Sequence, residues 1–207
     1  MQFSVYLFDF DGTLFDTRES LVPVFAAGFA VAGRAVTPEE CERWMHLNLL
    51  QSMADAGIPE EKFDEVIEAT IAALDLPESI ALIRPFEETK EVLLTLKEQG
   101  KKIGIVSNNS SSHIRLVLKT LGFDMPFDCI VGSDVCSVGK PSAEPINLAL
   151  SLLGEQNRQD VVYVGDSLQD GECGHNAAIQ SILVDREDAH VDAPYRCIRD
   201  LRELFAI

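Results

Sequence analysis

The chain has 207 residues, 46% of them hydrophobic, which suffices for one large domain or for a core with a smaller insertion. Its 34 acidic and 17 basic residues give a formal net charge of −17. Nucleic acids and anionic membrane surfaces bind to patches of Lys and Arg, and the sequence shows no such patch. We therefore expect neither kind of partner, and the surplus of acids is typical of a soluble surface.

The cysteines and the N-terminus narrow the class of protein further. Five cysteines are an odd number, and they form no Cys-x-x-Cys pair, which argues against a disulfide framework or a zinc site. The N-terminus has no basic region followed by an apolar core, so we expect no signal peptide. We also find no apolar run of about 18 residues. These features predict a cytoplasmic protein. We expect a monomer or a dimer.

The strongest local signal is an N-terminal apolar segment that runs directly into acidic residues. Residues 3–7 are rich in β-branched and aromatic side chains and predict a buried strand. Asp9 and Asp11 follow, and their side chains point to the same side because side chains alternate along a strand. Gly12 then allows a tight turn. Two carboxylates this close repel each other unless a cation lies between them, and Mg²⁺ is the simplest candidate.

Residues 17–83 have a helical pattern throughout. Apolar residues recur at helical spacing, and Thr37, Pro38 and Glu40 mark a helix start with a capping box. Gly57 and Pro59 separate two further helices. We predict a bundle of about four helices, inserted between two linkers.

From residue 85 onwards, predicted helices alternate with predicted strands. The alternation favours a parallel sheet with helices on both faces, which the first strand joins although the helical segment intervenes. The predicted fold is α/β, with a Rossmann-like core of residues 1–16 and 84–207 and an inserted α-helical bundle at 17–83. The expected strands are 102–106, 129–131, 160–164 and 181–184, and the expected helices are 87–99, 111–121, 144–153 and 198–205.

Polar residues follow the apolar segments at four points of the predicted core. The carboxyl ends of parallel strands meet at one edge of a sheet, so we expect these side chains to lie together. They supply a nucleophile, a second acid, a hydroxyl, a lysine and two more acids, which suits phosphoryl transfer to a carboxylate. The four groups are Asp9 with Asp11, Ser107 with Asn108 and Asn109, Gly139 with Lys140, and Asp166 with Asp170.

Each later group has a structural alternative when it is taken alone. Residues 107–109 fit a turn or a helix cap, and Lys140 before a proline fits an ordinary surface charge. Asp166 and Asp170 fit a helix cap. Their joint occurrence in this order favours a functional site over these alternatives.

In their order along the chain, these segments resemble the four signatures of the haloacid dehalogenase-like hydrolase superfamily. The helical insertion resembles the α-helical cap of its phosphoglycolate phosphatase-like and β-phosphoglucomutase-like members. The resemblance covers nearly the whole chain. The matching segments are Asp9-Phe10-Asp11-Gly12-Thr13-Leu14, Ser107-Asn108, Gly139-Lys140-Pro141 and Gly165-Asp166-Ser167-x-x-Asp170.

Two departures from the family pattern stand out. Glu87-Glu88 lies where members often have Pro-Gly, and the helix after Asp170 contains Gly171 and Gly174. We expect neither departure to touch the chemical residues. Each interior glycine is expected to loosen its helix by roughly 1 kcal/mol.

The resemblance implies a Mg²⁺-dependent phosphatase that forms an aspartyl-phosphate on Asp9. Asp11 would protonate the leaving alkoxide and then activate water for the second step. Asp9 and Asp166 would bind Mg²⁺, together with Asp11 through its backbone carbonyl.

The same resemblance assigns supporting roles to the remaining segments. Ser107, Asn108 and Gly12 would bind the phosphoryl group, and Lys140 would offset its charge and that of Asp9. Asp170 would orient Lys140, Ser107 or a metal-bound water. Thr13 would form a bond near Asp11.

Alternatives inside and outside the family remain open. Dehalogenase and phosphonatase relatives lack an acid at the position of Asp11, so its presence favours phosphate-ester chemistry. A β-phosphoglucomutase-like mutase would have a histidine soon after Asp16-Thr17, and residues 18–22 contain none. A pyrophosphatase or a nucleotidase is a further alternative. The non-enzyme alternative is a phosphate-sensing regulatory protein, against which the intact acids argue.

The expected substrate is a small phosphorylated metabolite, with phosphoglycolate as the leading candidate from the resemblance. Arg18 is the best candidate for a contact with a substrate carboxylate, because arginine binds carboxylates through two parallel hydrogen bonds. Trp44 is more typical of a core residue and His46 of a surface residue. All the candidates in the insertion are Arg18, Arg34, Arg43, Trp44, His46 and Lys62.

Overall fold

The structure, a computed structural model, describes residues 3–44, 49–189 and 192–207. The chain divides into two compact units, one of Met1–Asp16 with Pro85–Ile207 and one of Thr17–Arg84. We call them the sheet unit and the helical unit. His46, a candidate from the sequence, lies outside the described residues.

Strands and helices alternate along the sheet unit, as its sequence pattern predicts. The strands are β1 (Val5–Phe8), β2 (Phe15–Asp16), β3 (Arg84–Pro85), β4 (Lys102–Val106), β5 (Cys129–Val131), β6 (Val161–Gly165), β7 (Gln180–Val184) and β8 (Arg196–Ile198). The helices of the chain are α1 (Arg18–Ala30), α2 (Pro38–Trp44), α3 (Leu49–Asp55), α4 (Phe63–Leu74), α5 (Pro77–Ile80), α6 (Thr89–Glu98), α7 (Ser111–Thr120), α8 (Glu144–Leu153) and α9 (Leu168–Asn176).

In the described part of the sheet unit, six strands form one sheet in the order β5-β4-β1-β6-β7-β8. Each neighbouring pair is parallel. Val5 and Leu7 of β1 pack in a buried layer with residues of α8 and α9. Tyr6 and Phe8 point to the other face by alternation and are buried as well. Both faces are therefore covered, and the predicted α/β fold is confirmed.

The end of the chain differs from the expectation. Residues 198–205 do not form an α-helix: Arg196–Ile198 is a sixth strand that pairs with β7, and Leu201–Ala206 is a 3₁₀ helix. Ile198 is buried beside the sheet. β8 begins with a charged arginine and has only two apolar residues, so it lacks the apolar run that marks the other strands.

The helical unit contains five α-helices in its described residues, instead of about four. Its predicted capping box is present: the Glu40 N–H donates to Thr37 Oγ1 at 3.3 Å, and the Thr37 N–H donates to Glu40 Oε2 at 3.0 Å. Gly28 of α1 faces Thr70 of α4 so closely that a Cβ there would collide with the threonine. A glycine at this position therefore permits the close packing of α1 against α4.

No helix within the described ranges is long and apolar enough to cross a membrane.

Candidate active site

The register of the three central strands brings their carboxyl ends to one level. Phe8 pairs with Ile105 of β4 on one side and with Val164 of β6 on the other. Asp9 therefore leaves β1 beside the ends of both neighbours, and its N–H donates to the carbonyl of Val164 at 2.8 Å. The Ser107 N–H donates to the carbonyl of Val131 at 3.0 Å, which aligns β4 with β5. The sheet thus brings the predicted strand-end residues together at one edge.

Lys140 lies between two of the predicted acids. Its Nζ is 2.9 Å from Oδ1 of Asp9 and 2.6 Å from Oδ1 of Asp170. All three side chains are at least nine-tenths buried. Lys140 is therefore a buried cation of the site, not a surface charge, and its partners compensate much of the cost of burying it.

Asp170 has four hydrogen-bond donors around its carboxylate. Oδ1 accepts from Lys140 Nζ at 2.6 Å and from the Tyr163 hydroxyl at 3.0 Å. Oδ2 accepts from the N–H of Ser167 at 3.0 Å and from its hydroxyl at 2.5 Å. A carboxylate has about four lone-pair sites, so Asp170 has little capacity left for another ligand.

The surroundings of these residues shift their pKa values in different directions. Burial raises the pKa of Asp9 well above its usual value, and the charges of Asp170, Asp166 and Asp11 add to this, while Lys140 opposes it. Burial, with the charge of Asp170, raises the pKa of Asp166 to about 6. Burial alone would raise the pKa of Asp170, but Lys140 and the bonds from Ser167 lower it instead.

The pKa of Lys140 completes this electrostatic balance. Burial alone would lower it, but the charges of Asp170 and Asp9 raise it above its ordinary value. Lys140 therefore stays protonated. Its single positive charge offsets only part of the negative charge of Asp9, Asp166 and Asp170.

The carboxylates of this site are suited to bind a divalent cation. Oxygen atoms of Asp9, Asp166 and Asp170 lie within 4.8 Å of one another. Asp170 is occupied by its four donors, which leaves Asp9 and Asp166 as the side chains able to ligate. Both have raised pKa values because negative charge is concentrated and buried there, and a bound cation would relieve this. Carboxylate oxygens are the ligands that Mg²⁺ prefers.

The loop after Asp9 is folded tightly around Gly12. Gly12 has φ +73°, and a Cβ there would collide with the carboxylate of Asp166. Its N–H donates to the carbonyl of Phe15 at 2.8 Å. That N–H is already bonded here, and the predicted contact between Gly12 and a phosphoryl group stays a prediction. The absent side chain of Gly12 makes room for Asp166.

Thr13 and Asn109 contact the acids of this loop. The Thr13 hydroxyl lies 3.4 Å from Oδ1 of Asp166, so it bonds to this acid and not near Asp11 as we expected. The Asn109 side chain donates to Oδ2 of Asp11 at 3.4 Å. Asp11 itself is partly exposed. An acid that is reachable and yet held by a neighbour suits proton transfer to and from a substrate.

Ser107 and Asn108 follow β4. The Ser107 hydroxyl is available to a ligand, whereas the Asn108 side chain holds a neighbouring loop. Ser107 Oγ accepts from the N–H of Asn109 at 3.2 Å, which leaves its O–H able to donate. The Asn108 side chain accepts from the Lys140 N–H at 2.7 Å and donates to the Lys140 carbonyl at 3.3 Å. Asn108 therefore anchors the loop that carries Lys140, and a contact with a phosphoryl group would use its backbone N–H.

Two residues of the site were missed in the sequence. Tyr163 points from β6 to Asp170, and its hydroxyl also lies 2.8 Å from the carbonyl of Val106. Ser167 forms a capping box with Asp170 at the start of α9. A tyrosine inside an otherwise aliphatic strand, and a Ser-x-x-Asp spacing before a helix, are the signals that could have indicated them.

Most candidates in the helical unit have partners inside that unit. Arg34 pairs with Glu40, Arg43 with Asp55 at 2.7 Å, and Lys62 with Glu65 at 2.6 Å. Trp44 is fully buried, and its indole N–H donates to Asp55 at 2.7 Å, so it is a core residue. Arg18 is exposed at the first position of α1.

Comparisons with known proteins agree with this geometry. The family model of the haloacid dehalogenase-like hydrolases matches residues 6–184. Pyrophosphatase PpaX of Listeria monocytogenes serotype 4b is 32% identical over 173 residues, which are 83% of this chain and 78% of the relative. Pyrophosphatase PpaX of Halalkalibacterium halodurans is 29% identical over 187 residues, 89% of this chain and 84% of the relative.

Solved structures share the fold over the full length. A haloacid dehalogenase-like family hydrolase of Streptococcus pneumoniae superposes with a TM-score of 0.82 at 20% identity and covers 99% of this chain and 98% of its own. A predicted phosphoglycolate phosphatase of Haemophilus somnus superposes with a TM-score of 0.84 at 19% identity, covering 100% and 98%.

The parallel α/β sheet with carboxylates at its strand ends, together with the matching family model, identifies the chain as a hydrolase. The chain belongs to the haloacid dehalogenase-like hydrolase family. It is an enzyme of the phosphatase kind, as the sequence predicts.

Proposed function

We propose that the enzyme is a Mg²⁺-dependent phosphatase that hydrolyses a small phosphorylated compound through an aspartyl-phosphate on Asp9. The observation that carries this proposal is the position of Asp9, buried at the end of β1 and 2.9 Å from the Lys140 ammonium. A nucleophilic carboxylate needs a neighbouring positive charge to approach an anionic phosphoryl group. Lys140 supplies that charge at the nucleophile itself.

In the first step, an Asp9 carboxylate oxygen attacks phosphorus, and the bond between phosphorus and the leaving oxygen breaks. Asp11 donates a proton to that leaving oxygen. The Ser107 hydroxyl and the backbone N–H of Asn108 donate to phosphoryl oxygens. Mg²⁺, bound by Asp9, Asp166 and the backbone carbonyl of Asp11, would add positive charge at the transferring group.

In the second step, Asp11 acts as a base and takes a proton from water. The water oxygen attacks phosphorus, the bond between phosphorus and Asp9 breaks, and inorganic phosphate leaves. Asn109, whose side chain donates to Asp11, helps to keep the acid in place between the two steps. Asp170 keeps Lys140 beside Asp9 throughout.

Two substrates deserve a direct comparison. Phosphoglycolate is the candidate from the sequence resemblance, and pyrophosphate is favoured by curated relatives that are about one-third identical and are named pyrophosphatases. We propose to measure kcat/KM for both, with p-nitrophenyl phosphate and a sugar phosphate alongside. Turnover of at least one, lost in Asp9→Asn, would support the proposal.

Other outcomes of this panel would contradict it. Interconversion of sugar phosphates without net release of phosphate would indicate a mutase. Binding of phosphate compounds with no turnover of any of them would indicate a regulatory protein.

Arg18 is proposed to contact a carboxylate of the substrate, as the sequence suggests. If it does, Arg18→Ala raises KM for phosphoglycolate more than KM for p-nitrophenyl phosphate, which has no carboxylate. Arg34→Ala is a matched control, because Arg34 pairs with Glu40 within the same unit. An equal change in both KM values would remove Arg18 from the substrate site.

A further inference from the structure

A partly buried arginine contacts the backbone of the loop that carries the two acids. Arg186 follows β7, and its Nη2 donates to the carbonyl of Thr13 at 3.2 Å. Thr13 comes two residues after Asp11. The contact joins residues that are 173 positions apart in sequence.

Arg186 is itself held from two sides. Its Nη1 lies 2.7 Å from Oε1 of Glu88, whose side chain is only 5% exposed. Its guanidinium carbon lies 3.8 Å from the ring centroid of Phe86. An arginine held by an ion pair and an aromatic ring has little rotational freedom, so its remaining N–H groups have fixed directions.

The segment of residues 86–89 also bonds the next carbonyl of the acidic loop, that of Leu14. The carbonyl of Leu14 accepts from the N–H of Phe86 at 3.1 Å and from the Thr89 hydroxyl at 2.8 Å. Two successive carbonyls, those of Thr13 and Leu14, are therefore fixed by one cluster of Arg186, Phe86 and Thr89. We call this cluster the loop anchor.

Glu88 also changes the interpretation of the sequence. It occupies one of the two positions where this chain departs from the Pro-Gly pattern of its family. Glu88 stands one contact away from the acidic loop: it pairs with Arg186, which donates to the carbonyl of Thr13.

We propose that Arg186 is a positioning residue of this enzyme, which holds the loop of Asp9 and Asp11 in its reactive geometry through the carbonyl of Thr13. The inference rests on the proposed function, because only that function gives the loop of Asp9 and Asp11 a catalytic role. A buried ion pair contributes little net stability compared with apolar residues of similar size. A small displacement of catalytic groups, in contrast, can lower a rate by about 10²-fold.

The test removes the contact without leaving a buried charge behind. Arg186→Met alone would strand Glu88, so the main variant is the double substitution Glu88→Gln with Arg186→Met. Glu88→Gln alone keeps the arginine and its bond to Thr13. Arg202→Met is the matched control, because Arg202 pairs with Glu91 at the surface of the same unit.

Two readouts separate positioning from folding. The first is kcat and KM for p-nitrophenyl phosphate, measured with Tm. The second is hydrogen exchange of the backbone amides of residues 10–15 by mass spectrometry, with those of β4 as the internal reference. The second readout needs no activity, so it tests the loop anchor even if the proposed function fails in the wild-type enzyme.

For the double variant, we expect kcat to fall about tenfold or more with KM within about twofold, since binding groups stay in place. Exchange in residues 10–15 should accelerate about tenfold, with β4 unchanged. Glu88→Gln and Arg202→Met should keep most of the activity. Unchanged exchange of the loop in the double variant would overturn the proposal, as would an unchanged kcat in the active enzyme.

Discussion

Lys140 Nζ and Asp170 Oδ1 lie 2.6 Å apart, and both side chains are almost completely buried. The remaining lone pairs of Asp170 accept from Tyr163 and Ser167, so the carboxylate cannot turn away from the lysine. The ammonium therefore stays 2.9 Å from Asp9. Charge balance at Asp9, the proposed nucleophile, thus depends on Asp170, which is not expected to contact the substrate.

Removal of this ammonium should damage catalysis more than folding. For Lys140→Ala we expect kcat/KM to fall by about 10²-fold or more, because one electrostatic stabiliser of the transferring phosphoryl group is lost. The double variant Lys140→Ala with Asp170→Asn controls for the acid left unpaired in the single variant. Steady-state kinetics and Tm of both variants are the measurement. An unchanged kcat/KM in Lys140→Ala would show that the lysine has no catalytic part.

Removal of divalent cations should abolish the activity. Asp9 and Asp166 concentrate negative charge in a buried site, as their raised pKa values indicate, and a cation offsets that charge. After EDTA treatment we expect no turnover, full recovery with Mg²⁺ and inhibition by Ca²⁺, which prefers a larger and looser shell of ligands. Initial rates of p-nitrophenyl phosphate hydrolysis report this. Full activity after exhaustive chelation would contradict the metal site.

The parallel direction of the central strands could be predicted from the sequence. Strands 102–106 and 129–131 have the predicted bounds, because apolar runs end at clear polar residues there. The meeting of the strand-end groups at one edge follows from a parallel sheet, whereas the pairing of β1 with β6, which puts Asp9 beside Val164, comes from the structure alone. These features depend on local pattern and on general rules of sheet geometry.

Contacts between distant side chains could not be predicted in the same way. A tyrosine in an aliphatic strand marks Tyr163 as unusual, but its pattern does not name Asp170 as the partner, and no pattern indicates that Arg186 reaches Thr13. Gly171 and Gly174 both lie inside α9. A Cβ at Gly171 would collide with Tyr195, and one at Gly174 with Ser181. Tertiary packing, which the helical pattern does not show, explains both glycines.

The cysteines should differ strongly in reactivity. Burial raises the pKa of Cys129 and of Cys173 to about 12, so at pH 8 both thiols stay almost entirely protonated. Cys197 is exposed. Iodoacetamide at pH 8 should label Cys197 first and leave Cys129 and Cys173 unlabelled until guanidinium unfolds the chain. Peptide mass spectrometry measures this, and rapid labelling of Cys129 in the folded enzyme would contradict its burial.

The central claim is that Asp9 is the nucleophile, and Asp9→Asn tests it most directly. The asparagine keeps the size of the side chain but cannot form the acyl-phosphate, so the covalent step is lost. The measurement is the rate of p-nitrophenyl phosphate hydrolysis by the variant and the wild type, both folded and free of contaminating phosphatase. We predict a loss of several orders of magnitude, about 10³-fold or more. Activity within about tenfold of the wild type would contradict the account.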